Sequence, residues 1–318
     1  MTDDRLDPRT GLFLVKSLRV TDSDARQFRR SLDRGQGTRL RRGVFTTADR
    51  WGTLGSREQY LDRIRAVVET RRHDPVISHQ SAAAMWGIPL AADWPRAVHV
   101  LAVPSARVRS KNGVFVHRSG FEWDEVVELD GVLVTNPART LLDLARTASF
   151  ADAVVALDHC MNPRRAAPEV LVYTSELAEL LATGVTVRGS ARAQRALDFA
   201  RPNADNPGES LSRVAIFELG FPDPDLQCRH RNPRGGWYFT DFEWPEFRLI
   251  GELDGRGKYL KEEFLRGRTP GQVVVDEKVR EDHLRAEGFR VVRWGPAELS
   301  DRAALDRMLK AAGLPVIR

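Results

Sequence analysis

The sequence predicts an α+β protein made of three successive regions, and three observations carry that prediction. A basic segment near the N-terminus reads as a helix followed by a short β-hairpin. A middle region alternates β-like runs with amphipathic helices. The last third reads helix, strand, strand, strand, helix, strand. The 318 residues are enough for two or three domains that each bury a core, and 42% hydrophobic with 29% charged residues is the composition of a globular chain. The expected regions are 1–73, 74–200 and 201–318. No run approaches the roughly 20 apolar residues of a membrane span, and the opening MTDDRLDPRT lacks the basic-then-apolar order of a secretory signal. The expectation is a cytoplasmic protein with no membrane partner. Cys160 and Cys228 stand far apart with no CxxC spacing, so they predict two buried free thiols and neither a disulfide framework nor a zinc site.

The net charge of +5 is unevenly placed. Residues 1–73 hold 17 Lys and Arg against 10 Asp and Glu, so the rest of the chain is slightly negative. Within the first region, Arg26, Arg29, Arg30, Arg34, Arg39, Arg41 and Arg42 surround a single acid, Asp33. Such a cluster suits a polyanion, because phosphate neutralisation dominates DNA affinity. Thr21 or Ser23 can cap a helix with Ala25, Phe28 and Leu32 on one face and arginines opposite. Gly35 and Gly37 end it. The stretch from Thr38 to Thr46 then alternates, with the turn RRG between TRL and VFTT. An Arg-bearing helix followed by a basic β-wing is the order expected at the end of a winged helix-turn-helix domain. Before it, TGLFLVKSL reads as a short, weakly patterned helix.

In the middle region VISHQSAAAMWGIPL predicts a helix begun at Ser78 and stopped by Gly87 and Pro89. AVHVLAVP and GVFVHRS alternate as strands do. TNPARTLLDLARTASFADAVVALDHCM predicts a pair of helices, the first started by Asn136 with Pro137 near its first position. His79, His99 and His117 fall on different elements at no ligand spacing, so no chemistry is assigned to them. The words RRGVFTT, SHQSAAAMWGIP, VHVLAVP, VFVHRS and GVLVTNPARTLLDLAR, in this order over about half of the chain, resemble the AbiEi family of antitoxins and transcriptional regulators. That resemblance implies a winged helix leading into a compact α/β domain, with DNA and either a cognate toxin or a second copy of the chain as partners.

RPNADNPGE concentrates Pro, Asn, Asp and Gly and reads as a domain junction. Beyond it, GESLSRVAIFELG predicts a helix, DLQCRHR and GWYFTDFEW strands joined by the turn NPRGG, RLIGELDG a third strand, VDEKVREDHLRAEG a helix and FRVVRW a buried strand. If the second and third strands form a hairpin centred between Glu246 and Phe247, Asp241 faces Glu252. Facing carboxylates repel, and alternation sets Asp254 on the face of Glu252. Three oxygen-donor acids on one sheet face suit Mg²⁺ or Mn²⁺. The chain has six lysines against 43 arginines, yet Lys258, Lys261 and Lys278 all lie here.

This constellation, from about Asn206 to Leu299, resembles the PD-(D/E)xK nucleases and most closely the branch of the very short patch repair endonucleases. The resemblance implies a restriction-endonuclease-like mixed sheet flanked by helices and metal-dependent DNA hydrolysis. Matched by motif, it makes Glu209 the helix acid, Asp241 the strand acid and Glu252 the next acid, with all three as metal ligands. It departs from the family's pattern two residues after Glu252, where Asp254 stands in place of lysine, so Lys258 or Lys278 would substitute. The expected function is a metal-dependent DNA endonuclease of defence or repair. The alternative is an antitoxin-type regulator whose nuclease-like domain is inactive.

Overall fold

A computed structural model describes residues 11–15, 30, 32, 34–71, 74–103, 109–183, 188–254 and 269–317. It is mixed α+β, with three sheets and, among the described residues, eleven α-helices. The chain divides into two compact units, Met1–Ala148 with Ser175–Arg188, and Ser149–Thr174 with Gly189–Arg318. In this division residues 1–73 and much of the expected middle region fall in one unit, while residues 149–174 and 189–200 fall with the last region in the other.

The first unit begins with β1 (Phe13–Leu14), which pairs antiparallel with β3. Within TGLFLVKSL, Phe13–Leu14 is therefore a strand, where a helix is expected. Phe13 and Leu14 are buried, and a two-residue strand is held by its partner, which local sequence cannot reveal. The hairpin of β2 (Gly37–Arg41) and β3 (Val44–Thr47) turns at Arg42–Gly43, with Gly43 at φ +81°, where the sequence predicts a β-hairpin. The helix expected before it falls almost wholly outside the described residues. Thr47 caps α1 (Ala48–Thr53) by accepting from the Arg50 N–H. In α2 (Ser56–Thr70), Tyr60, Ile64 and Val67 are buried at helical spacing, and buried Asp62 pairs with Arg50.

These α2 residues pack on a five-stranded sheet formed by β4 (Val76–Ile77), β5 (Val98–Ala102), β6 (Val114–Arg118), β7 (Val126–Leu129) and β8 (Val132–Thr135), in the order β6-β5-β4-β8-β7. Val98, Val100, Val114 and Val116 supply its core face, as their period of two requires. Between β4 and β5, α3 (His79–Trp86) starts after Ser78 and stops at Gly87, which takes φ +74°, as the sequence predicts. After β8, Asn136 caps α4 (Pro137–Thr147) with Pro137 in the first turn. Ser175 to Thr183 of α6 (Thr174–Thr183) also belong to this unit.

The second unit gathers α5 (Phe150–Met161), α7 (Ser190–Phe199), α8 (Pro207–Glu218) and a four-stranded sheet. Its strands are β9 (Asp225–Arg231), β10 (Trp237–Trp244), β11 (Leu249–Leu253) and β12 (Arg290–Trp294). The order is β12-β11-β10-β9, parallel between β11 and β12 and antiparallel elsewhere, so the sheet is mixed. The helix α9 (Pro270–Ala286) joins β11 to β12, and α10 (Pro296–Ser300) and α11 (Arg302–Ala311) follow. Phe242, Trp244, Leu249, Leu253 and Trp294 form one core with Ile216, Leu305 and Leu309. Gly251 is required here by close approach, because a Cβ would lie 2.6 Å from the Trp294 ring. The predicted junction is closed rather than open: Ala204 is buried and its carbonyl accepts from Asn162 Nδ2 at 2.8 Å. Beside it, the Arg213 guanidinium of α8 bonds Asp158 of α5 at 2.9 Å, with both side chains buried. Cys160 is buried as expected, whereas Cys228 is half-buried, and both are free thiols.

Candidate active site

Helix α8 delivers the first acid. Asn206 accepts from the Glu209 N–H at 3.0 Å and fixes the first turn, which Pro207 enters without losing a bond. Glu209 then reaches back. Its carboxylate accepts from Asp205 N–H (2.7 Å), Asn206 Nδ2 (2.5 Å) and Gln227 Nε2 (3.1 Å). A helix N-terminus favours the charged form, yet burial, and then the negative charge of Asp241, push this carboxyl up to about 8. Gln227 takes part through an unusual backbone. It sits within β9 at φ +54°, between the paired residues Leu226 and Cys228 and opposite Asp241.

The hairpin of β10 and β11 has the register that its symmetry predicts. Phe242 faces Gly251, Glu243 faces Ile250 and Trp244 faces Leu249. One further step sets Asp241 beside Glu252, and the Leu253 N–H donates to Asp241 Oδ2 at 2.8 Å. Glu252 is buried, and its carboxyl is pushed up to about 7, by burial first and by Asp241 as well, against the lowering effect of Arg280. Asp241 thus lies electrostatically between two buried acids whose ionised forms it opposes.

The cation at this site is an arginine. Arg280 of α9 donates from Nη2 to Glu252 Oε1 at 2.7 Å and to the Phe239 carbonyl at 2.7 Å, and from Nη1 to Glu277 at 2.8 Å. Lys278 is exposed, with no ion-pair partner among the described residues, and Lys258 and Lys261 lie outside them. Asp254 does not join the acids. It follows the last residue of β11, its N–H still bonds the Trp294 carbonyl at 2.9 Å, and its carboxylate pairs at 3.4 Å with Arg293, the register partner of Glu252. Arg293 also pairs with Glu277 and Glu281. Asp241 thus stands beside Glu252 in the hairpin register and within electrostatic reach of Glu209, while Asp254 is held in the ion-pair network of Arg293. Among the described residues, no three His, Cys, Asp or Glu side chains form a ready group for a metal ion. The donors are nonetheless hard oxygens, which suit a divalent cation in kind.

Of the N-terminal arginines, Arg26 and Arg29 lie outside the described residues. Arg30, Arg34, Arg39 and Arg42 are exposed, the last two on the β2–β3 hairpin. Arg41 is half-buried and donates to the Asn112 carbonyl at 3.2 Å, so it is partly committed to the fold.

The three histidines of the first unit do meet, contrary to what their sequence spacing suggests. The rings of His79 and His117 stack at 3.4 Å with 12° between planes, and His99 Nδ1 lies 2.9 Å from His117 Nε2. Parallel stacked rings direct their nitrogens within separate planes, an arrangement unsuited to one shared ion. Burial holds His99 down at about 4 and His117 at about 3, and His79 lies well below its ordinary value. All three are neutral in the fold and gain protons on unfolding below the ordinary value of 6.5. Stability is therefore fully present above pH 6.5 and declines as pH falls toward 4. Asp143, which faces His79 at 3.7 Å and is raised to about 6 by burial, acts in the opposite direction. Between pH 7 and pH 4 the melting temperature of His117→Asn is expected to fall less, or rise more, than that of wild type. Equal slopes for the two proteins would remove the cluster as the cause.

No family model matches the chain. Two proteins of Mycobacterium tuberculosis are each 31% identical to it over 237 residues, spanning 71% of this chain and 80% of their own length. They are "Uncharacterized protein MT2308" of strain CDC 1551 / Oshkosh and "Uncharacterized protein Rv2248" of strain ATCC 25618 / H37Rv. Among solved structures, that of the RV2827C protein from Mycobacterium tuberculosis is similar over 71% of this chain and 85% of that chain, at 17% identity and a TM-score of 0.38.

Proposed function

The chain belongs to the family of the Mycobacterium tuberculosis protein Rv2248, and we propose that it is a DNA-binding protein with divalent-metal-dependent phosphodiester hydrolysis, a DNA endonuclease centred on Asp241. The observation that carries this reading is the coupling of Asp241 to two buried acids at once, which raises both Glu209 and Glu252. Like charges so placed favour a cation among them. The mixed sheet flanked by helices supports the restriction-endonuclease-like reading of this unit, and the β2–β3 hairpin supports the winged-helix reading of the other. Asp241 and Glu252 would hold Mg²⁺ or Mn²⁺, with Glu209 acting through water. When bound, the ion supplies a nucleophilic water and charge neutralisation at the scissile phosphate. Arg280 engages only Oε1 of Glu252, so Oε2 would serve the ion while the guanidinium stays beside the site, where it could pair with the phosphate. Glu209 keeps its three hydrogen bonds and orients the acid cluster. Exposed Arg30, Arg34, Arg39 and Arg42 would neutralise backbone phosphates of duplex DNA.

A second reading has its own support. Arg280 already satisfies Glu252, and Glu209 is fully used in holding the start of α8. These are the bonds of a centre that is inert as it stands, as in a regulator that keeps the nuclease-like unit for a partner. Incubating the full chain with supercoiled and linear DNA, with Mg²⁺, Mn²⁺ or chelator, decides between them. Nicking that requires the metal is expected. Duplex binding whose salt dependence flattens by up to about 0.9 per arginine removed in Arg39→Ala/Arg42→Ala, without cleavage of any DNA, would establish the regulator instead.

A further inference from the structure

The β9–β10 hairpin carries a surface that neither reading has used. Trp237 and Phe239 are 52% and 49% exposed, two residues apart on β10 and so on one face of the strand. Their cross-strand partners are Arg231 for Trp237 and Arg229 for Phe239, both exposed. Directly paired residues share a face, so two aromatic rings and two guanidinium groups form one array. Arg234 stands in the turn between the strands. Three arginines against the single acid Asp225 make this hairpin, from 225 to 240, positive. The same strand continues, two residues later, to Asp241.

Large exposed aromatics cost solubility and are retained where they meet something flat. The spacing is informative. Residues two apart on a strand are separated by about 6.8 Å, roughly twice the 3.4 Å spacing of stacked bases. An unstacked strand can therefore present a base to each ring. The face of Trp237 already accepts a flat cationic group, the Arg229 guanidinium, 4.2 Å from the ring centroid. The interleaved arginines complement a backbone of phosphates running beside unstacked bases.

We propose that this face of the β9–β10 hairpin binds single-stranded DNA, with unpaired bases stacked on Trp237 and Phe239 and phosphates on Arg229 and Arg231, leading the strand toward Asp241. The proposal deepens the nuclease reading by naming an unpaired or splayed strand as the substrate, but the binding itself does not depend on cleavage. It is tested on the full chain in chelator, where no metal-dependent cutting occurs, by fluorescence anisotropy of a labelled 20-nucleotide oligo(dT), the matching duplex and oligo(rU). Wild type binds oligo(dT). Trp237→Ala and Phe239→Ala each weaken it by about 5- to 150-fold and leave duplex binding unchanged, while Trp237→Tyr restores most of the affinity. Both side chains are exposed, so melting temperatures of the variants match wild type and a folding defect is separately visible. Unchanged oligo(dT) affinity in the double alanine variant overturns the proposal, as does binding of oligo(rU) in preference to oligo(dT). Stacking-dependent binding with no cleavage in Mg²⁺ leaves this surface standing and removes only the nuclease reading.

Discussion

Asp241→Asn is expected to reduce metal-dependent DNA cleavage by more than about 100-fold and, in the same protein, to stabilise the metal-free fold at alkaline pH. The two effects have one origin. Glu209 and Glu252 titrate at about 8 and about 7 because they are buried and face Asp241. Groups raised in this way contribute stability at low pH that is lost as pH rises through 7 and 8. With asparagine in place, the like charge is gone and the loss is smaller. The melting temperature of wild type should therefore fall between pH 6 and pH 9 more steeply than that of the variant. Millimolar Mn²⁺ should raise the wild-type value through binding linkage and the variant's much less. A variant that melts like wild type at every pH, with the same response to Mn²⁺, would show that Asp241 does not govern the charge of this site.

Arg213→Ala should cost about 3–5 kcal/mol, because it removes the cation paired with the buried Asp158 and leaves that carboxyl only the Arg201 N–H and Ser210 as partners. The guanidinium also donates to the Phe199 carbonyl at 2.6 Å and lies over the Phe199 ring, so one change removes three interactions. For a unit of this size the loss corresponds to about 6–20 °C in melting temperature. The double change Arg213→Met/Asp158→Leu should recover much of it, since neither partner then has a charge to bury. Urea unfolding followed by tryptophan fluorescence separates the cases. A loss below about 1 kcal/mol in the single variant would mean that water reaches the pair.

Where the sequence could be read, local chemistry was decisive. Ser78 and Gly87 bound α3 because caps act within a few residues, and Asn136 with Pro137 starts α4 for the same reason. The pairing of β10 with β11 was legible because the hairpin is short and its centre is marked by Pro245 and Glu246. The helix α2 is hard to see in the sequence although Tyr60, Ile64 and Val67 mark its buried face, because six charged residues among its 15 dilute the apolar period. Arg280 could not be found: its partner Glu252 is 28 residues away, and the rarity of lysine pointed to Lys278 instead. Gln227 gave no signal, since its left-handed backbone is imposed by the sheet on a residue that does not favour it. The histidines meet only because β5 runs parallel to β6, a pairing that lies beyond local pattern.

The helix α5 belongs to the second unit yet is made long before most of it. Its Asp158 meets Arg213 across 55 residues of chain. At about 5–20 residues per second of synthesis, the nascent helix waits roughly 3–11 s for its counter-charge. Through that interval Val154, Val155 and Leu157, all buried in the finished fold, have no α8 to cover them. The ribosome therefore releases the first unit's sheet complete while the seed of the second is still uncovered. Slower synthesis between residues 160 and 213 is therefore expected to lengthen the exposure of this apolar face without altering a single contact in the folded protein.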